Sequence, residues 1–231
     1  MTELITLADS YGLTLTSEMV AQFELYQRLL LDWNEQVNLT AITAPREILE
    51  KHFLDSLAPL RLVPPCARVI DVGTGAGFPG LPMKIARPDI HLTLLDSQSK
   101  RVNFLSEVSR ALGQENQILH ARAEEAARDP ALREQFDIAT ARALAAMPVL
   151  CELCLGFVRV GGSFLALKGP DSQDELADSR PAAEAMGGGT VEVYPYDLPT
   201  FGRRVVWKVE KTSQTSSTFP RKYARIAKAP L

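Results

Sequence analysis

Residues 69–80 read Val-Ile-Asp-Val-Gly-Thr-Gly-Ala-Gly-Phe-Pro-Gly, and this run restricts the fold more than any other feature of the chain. Val69, Ile70 and Val72 have the β-branched character of a buried strand, and the glycines at 73, 75 and 77 end it in a turn that tolerates left-handed backbone. A helical stretch follows. A strand that runs into a glycine-rich turn and then a helix is the opening unit of a doubly wound α/β sheet. Such sheets bind ligands outside the carboxyl ends of their strands.

The rest of the sequence repeats that alternation. Short apolar segments at 68–72, 91–95, 117–120, 136–141 and 163–167 are separated by helix-length stretches, which predicts a parallel sheet of βαβ units. Segments 190–196 and 203–210 follow with only a turn at 199–202 between them, so the sheet is expected to close with an antiparallel pair. Upstream of residue 64 the period is helical. Met19, Phe23, Tyr26, Leu30 and Trp33 recur every three or four positions behind Thr16 and Ser17, and residues 45–62 carry Ile48, Leu49, Phe53, Leu57 and Leu60 on one side. The expected organisation is a helical unit over 1–63 closed by Pro64-Pro65, an α/β domain over 64–211, and a basic, flexible tail over 212–231 with too little apolar surface to fold alone.

At 46% hydrophobic and 23% charged residues the chain belongs with globular proteins, and collagen-like, disordered and disulfide-scaffold classes are excluded. Nothing in it resembles a signal segment or a membrane span, so the expected compartment is the cytoplasm, with no membrane partner and a monomer as the default. Cys66, Cys151 and Cys154 cannot build a disulfide framework. Cys151 and Cys154 lack a second ligand pair at zinc spacing, so they are expected as small buried hydrophobes and no metal is expected.

A net charge of −3 argues at first sight against a nucleic-acid partner. Its distribution reverses that inference. Residues 201–231 carry eight basic side chains against Glu210 alone, a net +7 on a body of −10. This asymmetry predicts a limited basic patch, with Arg221, Lys222, Arg225 and Lys228 as RNA-contacting candidates.

The turn also distinguishes between cofactors. A dinucleotide fingerprint needs a glycine where this chain has Phe78, and it is led by apolar residues where this chain has Asp71. An acidic strand end before G-x-G-x-G suits S-adenosyl-L-methionine, which has no pyrophosphate and carries an ammonium that a carboxylate can orient. Asp71, Gly73, Gly75 and Gly77 are therefore cofactor candidates. Asp96, ending the second strand, stands where an acidic residue meets ribose hydroxyls. Ala123 could lie against adenine, and Glu124 either joins it or is a first-turn helix residue favoured by the dipole. Arg142, ending the fourth strand, suits the cofactor carboxylate or a substrate phosphate.

A sulfonium cofactor brings its own leaving group, so the protein mainly has to align a nucleophile. No N-P-P-Y or D-P-P-Y follows the fourth strand, which disfavours an exocyclic amine as acceptor. Neither Cys151 nor Cys154 is preceded by proline, which disfavours a thiolate route to a pyrimidine carbon. His52, His91 and His120 are the only imidazoles. A nucleophile that needs no deprotonation, such as guanine N7, fits this shortage of bases.

Several runs occur in order along most of the chain: Trp33-Asn34 with Asn38-Leu39-Thr40, Lys51-His52-Phe53-Leu54-Asp55-Ser56-Leu57, residues 71–82, Leu95-Asp96-Ser97 with Lys100-Arg101, Arg142-Ala143, and Ala166-Leu167-Lys168-Gly169. Together they resemble the small-subunit ribosomal RNA methyltransferase G family, also called the glucose-inhibited division protein B family. The resemblance implies a class I S-adenosylmethionine-dependent methyltransferase, with a Rossmann-like, mainly parallel seven-stranded sheet, one antiparallel strand and an N-terminal helical extension. It implies N7 methylation of one guanosine in 16S rRNA of the small ribosomal subunit or its precursor. Carried over by motif, Gly73, Phe78, Ala123, Glu124 and Arg142 would contact the cofactor, with Asp96, Ser97 and Gln98 on the ribose. Lys100, Arg101, Arg122 and Lys168 would face RNA or the reaction centre, and Arg142 and Lys168 are the candidates nearest that centre. His52 is expected to be a satisfied structural residue. A small-molecule methyltransferase and a non-catalytic RNA-binding assembly factor are the other readings of the same residues.

Overall fold

The computed structural model describes residues 2–169 and 175–231. Its centre is a seven-stranded sheet of β1 (Arg68–Val72), β2 (His91–Asp96), β3 (Gln117–His120), β4 (Phe136–Arg142), β5 (Val158–Lys168), β6 (Gly188–Leu198) and β7 (Gly202–Lys211), in the order β3-β2-β1-β4-β5-β7-β6. β1 to β5 pair in parallel, and β7 runs antiparallel to both β5 and β6. The mainly parallel sheet with one antiparallel strand is the one expected. Its reversal of strand order lies between β1 and β4, which places the β1 turn at the crevice.

Side-chain alternation along β1 divides the interior in two. Val69 joins the core under α1 (Thr2–Ser10), α2 (Ser17–Val37), α5 (Gly80–Ala86) and α6 (Ser99–Ala111). Ile70 and Val72 join the core under α7 (Ala123–Ala126), α8 (Met147–Cys154) and α9 (Glu175–Ala185) on the other face. Cys151 and Cys154 are fully buried in this second core, and burial pushes the Cys151 thiol up to about 12.

Thr16 caps α2, accepting from the Met19 amide at 3.3 Å, and Asn38 ends the helix in the left-handed conformation. Phe23, Tyr26 and Leu30 of α2 share one core with Val69, Leu81 and Leu94, so the helical segment is a layer laid on the sheet. The stretch expected as one helix over 45–62 is built in four parts. α3 (Pro45–Glu47) passes into a π-helix (Ile48–Leu54), then α4 (Asp55–Leu57), then a 3-10 turn (Ala58–Leu62). Pro59 lacks an N–H and cannot continue the α pattern. The wider π turn buries Glu50, His52 and Phe53 together.

The flexible tail expected over 212–231 does not occur. Arg128 and Arg133 donate to the carbonyl oxygens of Thr215, Ser216, Ser217, Thr218, Phe219 and Pro220, which fixes a segment that has little apolar surface of its own. Arg221 closes a two-pronged ion pair on the fully buried Glu152, at 2.6 and 2.9 Å, and Ile226 of α10 (Tyr223–Lys228) is fully buried. Lys211 anchors the start of the segment on the Leu155 carbonyl, Thr215 and Glu134, and burial pushes its amine down to about 8.

Candidate active site

The β1 turn is clipped to the end of β2. The Leu95 carbonyl accepts from the Gly73 amide at 2.8 Å, and Asp96 accepts from the Gly75 amide at 2.9 Å and the Gln98 amide at 2.9 Å. Gly73, Gly75 and Gly77 all have positive φ, at 67°, 61° and 97°. Beside this turn lies a cavity of about 210 Å³ walled by Gly73, Asp96, Ser97, Ala123 and Glu124, with Leu144, Leu153, Arg122 and Tyr223. The structure thus brings together the turn, the acidic end of β2 and the residues after β3. Gln98 follows them, exposed, at the N-cap of α6.

Asp71 lies beneath the turn, fully buried. One oxygen accepts from Thr74 Oγ1 at 2.5 Å and the Gly80 amide at 2.9 Å, while its Oδ1 has no partner. Burial raises its carboxyl to about 6. An unmet acceptor on a strand-end carboxylate suits a cationic group above it, which is the chemistry of the cofactor ammonium.

Phe78 and Arg142 are not among the walls of this cavity and meet each other outside it. Phe78 stacks on His52, with centroids 4.3 Å apart, and on Tyr26 at 5.4 Å, because the helical layer offers an aromatic pocket that the turn does not. Arg142 donates to the Lys51 carbonyl at 2.7 Å, Asp55 at 3.0 Å and His52 Nδ1 at 3.2 Å, with its guanidinium 4.8 Å from the Phe78 ring. The fully buried Asp55 also accepts from Tyr196 Oη at 2.7 Å and Arg204 Nε at 3.3 Å. This carboxylate ties the helical layer to β4, β6 and β7. Nothing in the spacing of Asp55, Tyr196 and Arg204 announces it.

His52 is satisfied, as the sequence predicts. Arg142 donates to Nδ1, so Nε2 carries the hydrogen and donates to Thr40 Oγ1 at 2.9 Å. Burial, then the Arg142 charge, pushes the imidazole down to about 3. The folded chain therefore refuses a proton that the unfolded chain takes up below its ordinary value of 6.5. Stability is expected to fall as pH drops through that window, by about 3 kcal/mol between pH 7 and pH 4 from this group. Urea unfolding at the two pH values checks this, and His52→Gln is expected to remove that share of the loss.

A second cavity at the same edge, about 350 Å³, is bounded by Arg142, Lys168, Glu175 and Arg204. Lys168 pairs with Glu175 at 2.8 Å. Lys100, Lys222, Arg225 and Lys228 are exposed, and Arg101 reaches Asp96 at 3.5 Å. Arg122 pairs with Glu124 at 2.6 Å and stays half exposed. Arg221, expected on RNA, is held by Glu152 with its side chain only 14% exposed, because that buried carboxylate needs a cation.

A seven-stranded sheet of this order, with a glycine turn clipped to an acidic β2 end, defines a class I methyltransferase. Its fold is that of a methyltransferase from Pyrococcus furiosus, at TM-score 0.58 and 11% identity over 86% of this chain and all (100%) of that one. Residues 19–196 match the family described as rRNA small subunit methyltransferase G, and the chain belongs to that family. It is 47% identical to the ribosomal RNA small subunit methyltransferase G of Clostridium perfringens (strain 13) over 96% of this chain and 95% of the relative. It is 45% identical to the protein of the same name from Clostridium beijerinckii, over 97% and 95%. Among the described residues, no helix is long and apolar enough to cross a membrane.

Proposed function

We propose that this protein transfers the methyl group of S-adenosyl-L-methionine to N7 of a guanosine in 16S rRNA, acting as a cytoplasmic monomer on the small subunit or its precursor. The observation that carries this reading is the glycine turn clipped to Asp96 beside a cavity that Ala123 and Glu124 also wall, in a chain of this family. Gly73, Gly75 and Gly77 let the backbone approach the cofactor, Asp96 and its neighbours Ser97 and Gln98 take the ribose, and Ala123 and Glu124 take the base. Asp71 holds the turn through Thr74 and the Gly80 amide, and its unmet oxygen would suit the ammonium. When bound, S-adenosylmethionine supplies an activated methyl and its own leaving group.

Among the described residues, neither His52 nor the two cysteines of α8 is available to remove a proton. Both nitrogens of His52 are engaged, and Cys151 and Cys154 are buried with thiols pushed up by desolvation. Guanine N7 attacks through an in-plane lone pair and needs no base, so positioning is the main task left to the protein. Lys168, with Arg142 and Arg204 bordering the same cavity, suits an RNA phosphate. Lys100, Arg101, Arg122, Lys222, Arg225 and Lys228 supply the rim for RNA.

The test is methyl transfer from labelled S-adenosylmethionine to naked 16S rRNA, a precursor particle and the mature small subunit, with the product base mapped. Label at guanine N7 in any of the three supports the reading. Absence of label from all three, or salt-insensitive transfer to a small acceptor instead, overturns it. Changing Lys222, Arg225 and Lys228 to Ala is expected to flatten the salt dependence of RNA binding and leave cofactor affinity unchanged, read by titration at several salt concentrations.

A further inference from the structure

We propose that the C-terminal segment is a built part of the cofactor site, with the Tyr223 ring forming the wall against which the nucleoside end of the cofactor packs. This rests on the methyltransferase reading above and adds to it a residue outside the matched span of 19–196.

Three observations lead there. Tyr223 lines the same cavity as Gly73, Asp96 and Ala123, although it lies about a hundred residues or more away in sequence from each of them. Its ring sits 4.5 Å from the Arg122 guanidinium, which in turn is held by Glu124, so the ring has a fixed neighbour at the cavity mouth. Among the described residues only Leu144, Val160 and Tyr223 are large exposed hydrophobics, and two of those three, Leu144 at 41% and Tyr223 at 42%, line this cavity. Apolar surface left exposed in one concave place is surface that a ligand covers.

The segment is also docked firmly enough to serve as a wall. The bonds from Arg128 and Arg133, the Arg221 pair on buried Glu152 and the burial of Ile226 bracket Tyr223 on both sides in sequence. Glu152 belongs to α8, whose next residue, Leu153, lines the cavity. One helix therefore carries both the anchor of the segment and the floor of the site. An aromatic face beside a purine supplies stacking that is indifferent to what happens at the sulfonium end.

The experiment is calorimetric titration of the full chain with S-adenosylhomocysteine and with 5′-methylthioadenosine, which shares the nucleoside and lacks the amino-acid end. Tyr223→Ala is expected to raise Kd roughly tenfold to a hundredfold for both ligands, by the same factor, with Tm unchanged. Tyr223→Phe keeps the ring and is expected to stay within about twofold of the parent. Parent affinity in Tyr223→Ala, or a loss confined to S-adenosylhomocysteine, overturns the wall while leaving the methyltransferase reading intact. A parent chain that binds neither ligand overturns both.

Discussion

Gly73→Val is expected to abolish measurable cofactor binding while the protein still folds. Gly73 has φ of +67°, where a β-branched side chain is strained, and its Cβ would lie 2.8 and 2.9 Å from the two methyl carbons of Leu144. Those methyls are the far end of a half-exposed side chain and can swing aside. Gly73 and Leu144 both line the cavity, however, so the new isopropyl group and the displaced Leu144 compete for the same 210 Å³. Two added methyls at the wall and a shifted leucine leave too little room for a nucleoside. The fold cost is set mainly by backbone strain, about 1 to 3 kcal/mol. Calorimetry with S-adenosylhomocysteine is expected to show affinity reduced more than about a hundredfold, equivalent to almost 3 kcal/mol. Gly113→Ala is the control, since it has a similar φ of +64° and a Cβ that would meet nothing within 4 Å, but it lies outside this cavity. Undiminished affinity in Gly73→Val would place the cofactor elsewhere.

Asp55→Ala carries the largest expected loss of stability. The carboxylate is fully buried and accepts from Arg142, Tyr196 and Arg204, three side chains from different strands. Removing it leaves the Arg142 guanidinium, 10% exposed, without its carboxylate partner, and leaves the Tyr196 hydroxyl without its acceptor. Breaking a buried pair from one side costs about 3 to 5 kcal/mol, since the remaining charge stays desolvated. Urea unfolding is expected to show a loss of that size, with Asp55→Asn intermediate because it keeps one acceptor oxygen. A midpoint within about 0.5 kcal/mol of the parent would mean that the network is ornamental.

The limits of what the sequence conveyed follow from the same residues. β1, β2 and the glycine turn were legible because a buried parallel strand and a positive-φ turn each demand particular residue types locally. The partners of Phe78 and Arg142 were not. Each depends on what stands across the gap, and the partners, His52 in a π-helix and Asp55 in α4 directly after it, have a register that no periodicity reveals. α1 was missed because nine residues give too short a window for a helical period, although Leu4 and Ala8 bury fully. Composition alone makes the C-terminal segment look flexible. Its order comes from Arg128, Arg133 and Glu152, which belong to distant parts of the chain and cap its carbonyls and its arginine. Composition reports apolar burial and is blind to that kind of support.

The strand order β5-β7-β6 also has a meaning for the chain as it is made. β6 leaves the ribosome before β7, yet among the described residues its only strand partner is β7, so it waits without a place while β5 shows a bare edge. Only when residues 202–211 emerge can the strand slot in and seat both neighbours, and the segment that bears Tyr223 emerges later still. The glycine turn is therefore made well before the sheet that holds it is complete. A nascent or prematurely terminated chain holds the glycine turn but not the completed sheet, and it presents a sticky strand edge in place of a finished enzyme.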